Sequence, residues 1–75
     1  MTTPNGTPEE KLAWVQDIVS KIAPDAKCEL QLYNTQIGCG ALDSRNGLQE
    51  IKFAVRTVSE WIVVDQAKAL ASRLR

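Results

Sequence analysis

The chain has 75 residues, with 9 basic and 9 acidic side chains, two cysteines and no histidine. That length allows one domain with a small core, burying only about 60% of the surface its unfolded chain exposes. The zero net charge removes the basic excess expected of a nucleic-acid or anionic-membrane binder, and without histidine no Ser-His or Cys-His nucleophile pair can form.

Residues 1–6 read as a polar, disordered tail, and residues 7–75 as a single α+β domain. The start, MTTPNGTPEE, has neither a basic n-region nor an apolar h-region, and no apolar run reaches the length of a membrane span. A soluble, cytoplasmic protein is therefore expected. Thr7 opens a helix: it is a good N-cap, Pro8 takes the first helical position, and Glu10 completes a capping box. Leu12, Val15, Val19, Ile22 and Ala23 form its apolar stripe, flanked by Trp14 and Ile18. Pro24 ends it.

From Lys27 to Thr57 the alternation of apolar residues predicts a three-stranded antiparallel meander, because alternate strand residues share a face. Cys28, Leu30 and Leu32, then Ile37, Cys39 and Ala41, then Ile51, Phe53 and Val55 make the buried face. A two-residue loop Asn34-Thr35 pairs Tyr33 with Gln36, Leu30 with Cys39 and Cys28 with Ala41. A three-residue loop Arg45-Asn46-Gly47, with Gly47 in the left-handed region, pairs Ser44 with Leu48 and Cys39 with Phe53. This register makes Cys28 and Cys39 diagonal neighbours roughly 7–8 Å apart, too far for a relaxed disulfide. Two buried thiols fit a reducing compartment. Neither edge strand contains proline, so both are open to pairing.

The other sheet face carries Glu29, Gln31 and Tyr33, then Gln36, Gly38 and Gly40, then Lys52, Ala54 and Arg56. The glycines make it flat enough for a partner to approach the backbone closely. A second helix follows from Ser59, its N-cap, to Leu74, with Val63, Val64, Ala67, Leu70, Ala71 and Leu74 on one arc. A fourth strand over Trp61–Val64 competes with its first turn. Trp61 and Ile62 lie off the arc and are candidate partner anchors.

No metal, cofactor or phosphate motif stands out; Gly38-Cys39-Gly40 lacks the lysine and helix start of a phosphate loop. The order helix, three antiparallel strands, helix (αβββα, both helices on one sheet face) resembles the topology of double-stranded RNA-binding domains over residues 7–74. Those domains bind through a lysine-rich start of the second helix and a basic loop. Here the helix starts SEWIVVDQAK and the loops carry only Arg45. The expected function is a small stand-alone protein-binding module, regulator or inhibitor without catalytic activity, compatible with a phage or mobile-element origin. Its partner-binding residues would be Trp61, Ile62, Tyr33, Gln31, Lys52 and Arg56. A homodimer or an obligate protein partner is expected, with no cofactor and no membrane. The alternative is a nucleic-acid binder using Lys27, Arg45, Lys52 and Arg56.

Overall fold

The computed structural model describes residues 6–74, so the tail expected over residues 1–6 lies outside it except for Gly6, an exposed bend. Helix α1 (Pro8–Ile22) is followed by strands β1 (Lys27–Gln31), β2 (Gln36–Asp43) and β3 (Gly47–Ala54), a 3₁₀ turn (Val55–Thr57) and helix α2 (Glu60–Arg73). The strands form one antiparallel sheet in the order β1-β2-β3. This is the αβββα order predicted from the alternation of the strands.

Helix α1 begins as its sequence dictates. The Glu10 N–H donates to Thr7 Oγ1 at 3.2 Å and the Thr7 N–H donates to Glu10 Oε1 at 3.5 Å, closing the box that satisfies two otherwise unpaired donors. Val15 and Val19 from α1, Ile37, Cys39, Ile51 and Phe53 from the sheet, and Val63, Ala67 and Leu70 from α2 form one buried core, with Leu30 packed against it. Both helices therefore cover the same sheet face. Trp61–Val64 is helical, as part of α2. Ser59 precedes that helix with extended backbone but its side chain makes no cap bond. Instead its carbonyl accepts from Val63 N–H at 3.0 Å, while its buried hydroxyl has no partner. Among the described residues no helix is long and apolar enough to cross a membrane.

Both strand registers differ from the sequence expectation by two residues, which changes every partner and leaves every face intact. Gln31 pairs with Gln36, Leu30 with Ile37 and Cys28 with Cys39. The connection is four residues long rather than two. The Leu32 carbonyl closes it by accepting from Thr35 N–H at 3.2 Å and Thr35 Oγ1 at 2.6 Å. Leu32 thus leaves the buried face and is 66% exposed. Across the second connection Asp43 pairs with Gly47, Cys39 with Ile51 and Ile37 with Phe53. The loop keeps three residues, but they are Ser44, Arg45 and Asn46. The Asp43 carboxylate starts the turn one position early, accepting from Arg45 N–H at 2.8 Å and Asn46 Nδ2 at 2.9 Å. Gly47 keeps the positive φ expected of it, at 79°.

The new register corrects the reading of the cysteines. Cys28 and Cys39 are direct cross-strand partners with Cα atoms 4.0 Å apart, and they are joined as a disulfide. The diagonal placement, and with it the pair of separate buried thiols, followed from the shorter loop.

Candidate functional site

With the helices on one face, the even-numbered residues of β2 and β3 and the odd-numbered residues of β1 line the other. The pairing arranges them in rows across the sheet: Leu42 beside Leu48, then Lys27–Gly40–Glu50, Glu29–Gly38–Lys52 and Gln31–Gln36–Ala54. Two features of this face stand out. Leu42 and Leu48 are directly paired and 78% and 61% exposed. Next to them Gly38 and Gly40 floor a trough of about 450 Å³, walled by Lys27, Glu29 and Gln31 on one side and Leu48 and Glu50 on the other. The Gln31 side chain lies against Gly38 and donates to Glu29 Oε1 at 3.2 Å.

The sheet edges are better covered than their sequences suggest. Gln16 of α1 reaches over the β1 edge, where its Oε1 accepts from Cys28 N–H at 2.8 Å and its amide nitrogen donates to the Ala26 carbonyl at 3.4 Å. That bond puts Cys28 N–H outside the ladder. On the opposite edge Arg73 of α2 donates to the Glu50 carbonyl at 3.3 Å. Each helix therefore supplies a polar side chain that bonds one outward strand group on its edge.

The sequence-predicted partner residues separate into two groups. Gln31 and Lys52 lie on the open sheet face. Tyr33 and Arg56 belong to the end where the β1–β2 loop meets the residues after β3, with Val55 N–H donating to the Thr35 carbonyl at 3.0 Å, and Trp61 lies in the first turn of α2. Tyr33 is fully exposed and Trp61 is 73% exposed, whereas Ile62 is partly buried against the core. A cleft of about 590 Å³ opens beside the β1–β2 loop between Lys11, Arg56, Pro8, Leu32 and Val55, with Lys11 Nζ bonded to the Val55 carbonyl at 3.3 Å.

The four cations of the nucleic-acid alternative do not gather. Lys27 and Lys52 each face a glutamate across a glycine, and Arg45 and Arg56 sit at opposite ends of β3. Among the described residues no three His, Cys, Asp or Glu side chains converge as a metal site would require. Leu42 and Leu48 are the residues that sequence reasoning missed. They share the parity of Gly40 and Glu50, and the observed register makes them neighbours.

No family model matches the chain, and no curated protein or solved structure matches it.

Proposed function

We propose that this chain is a non-catalytic protein-binding module that docks through the open face of its sheet. The paired, exposed Leu42 and Leu48 beside a glycine-floored trough carry this reading. Apolar side chains next to backbone that a partner can approach closely suit a protein interface. A regulator or inhibitor that works by occupying another protein needs no more chemistry than this. The alternating charges of the face favour a polypeptide partner over the uniformly negative backbone of a nucleic acid.

One argument for a cytoplasmic location, the reducing compartment that two separate thiols would fit, falls away. Joined as Cys28–Cys39, they favour an oxidising compartment instead.

The reading is tested by affinity capture from the native host with three baits: wild type, Leu42→Asp with Leu48→Asp, and Trp61→Ala. Proteins held by wild type and Trp61→Ala but lost by the double aspartate variant are the expected result. Equal recovery by all three baits would move the binding surface away from this face.

A further inference from the structure

We propose that the open sheet face is self-complementary and that its occupant is a second copy of this chain, related by a two-fold axis lying parallel to the strands between β2 and β3. The proposal rests on the reading of this face as a protein-docking surface and names the partner.

The rows across the sheet decide the operator. A rotation about such an axis keeps each row at its own height and lays one copy's β3 over the other's β2, and the reverse. Leu48 of each copy then covers Leu42 of the other. Glu50 enters the trough over Gly40, next to the opposite copy's Lys27, and Lys52 enters over Gly38, next to the opposite copy's Glu29. All three matches occur twice, as an isologous contact requires. Among the described residues Lys27, Glu29, Glu50 and Lys52 make no ion pair within the chain, and Glu29 accepts only the Gln31 amide. The side chain of Gln31, now resting on Gly38, swings aside to admit Lys52.

Shape supports the same arrangement. The middle strand carries no side chain at Gly38 and Gly40, so what lies over them is the Gln31 side chain and the stems of Glu50 and Leu48. The opposite copy's side chains enter the trough of about 450 Å³ between those walls. The edges are less open than the face, since Gln16 and Arg73 each bond one outward group there. Strands about 4.8 Å apart and rising about 3.3 Å per residue give a contact of roughly 300–400 Å² per copy. That lies below the range of stable dimers, so the association is weak.

Sedimentation equilibrium from about 10 µM to about 1 mM, concentrations that populate a weak dimer, reads the association directly. Wild type should move from monomer to dimer with rising concentration. Glu50→Lys alone and Lys27→Glu alone should each weaken dimerisation at least tenfold, through like charges meeting at both ends of the contact. An equimolar mixture of those two variants should dimerise again, because each then meets its opposite charge twice. Leu48→Asp should remain monomeric throughout, with an unchanged melting temperature. A wild type that stays monomeric at the highest concentration overturns the proposal while leaving docking of a foreign protein on this face intact. A mixture that fails to recover association, or a Leu48→Asp protein that dimerises as wild type does, overturns it equally.

Discussion

The β1–β2 connection turns on Leu32, Tyr33, Asn34 and Thr35, and the first three have φ values of 50°, 56° and 67°. The β2–β3 connection needs one positive φ and places it on Gly47. For an L-residue the left-handed region costs about 1–2 kcal/mol, and only Gly, with Asn less readily, visits it cheaply. The first hairpin thus carries an expensive turn, closed locally by the two Thr35 bonds to the Leu32 carbonyl. The second has a glycine where it is needed and an aspartate that bonds into its own loop. What holds the first hairpin in register is farther away: Ile37 buried in the core and the Cys28–Cys39 bridge. One hairpin is specified by its turn and the other by what its strands touch.

The largest effect should come from removing the bridge. It closes a loop of 11 residues' separation, and reduction should lower stability by about 2–3 kcal/mol through the freedom returned to the unfolded chain. Urea melts with and without reductant measure this, and an unchanged midpoint would remove the covalent half of the comparison. Asp43→Ala tests the other hairpin. It removes two bonds to a largely buried carboxylate and should cost about 1–2 kcal/mol. A loss below a few tenths would mean that Gly47 alone sets the second turn.

The same contrast explains what could be read in advance. The start of α1 was legible because Thr7, Pro8 and Glu10 act on backbone within four residues of themselves. Strand faces were legible because parity survives any even shift, and Phe53 and Ile37 are buried as the alternation required. Register was not. Nothing in Leu32-Tyr33-Asn34 announces three left-handed residues, so a tight turn at Asn34-Thr35 looked sufficient, and Asp43 was not recognised as a turn residue. The disulfide and the Leu42–Leu48 pair depend on register and were lost with it. The reach of Gln16 and Arg73 to the sheet edges required knowing how each helix lies across a strand.

Gly47→Ala sharpens the comparison at a single backbone position. A Cβ there meets no neighbour within 4 Å, so the only penalty is conformational, about 1 kcal/mol. A chemical-denaturation midpoint that does not fall would show that the loop relaxes to negative φ without cost.

The smallest effect should come from the reverse change in the first hairpin, and its sign carries the weight. Leu32 is 66% exposed, so Leu32→Gly gives up little burial. It relieves a left-handed leucine worth about 1–2 kcal/mol and concedes about 0.5–1 kcal/mol of extra freedom in the unfolded chain. The balance favours the variant by about 0.5 kcal/mol. Most exposed leucines replaced by glycine inside a sheet would lose stability, so a gain here is diagnostic. Thermal and urea melts of oxidised protein should both show it. A destabilised variant would mean that the leucine side chain makes contacts whose worth exceeds the backbone strain, and the first hairpin would then owe its turn to local packing after all.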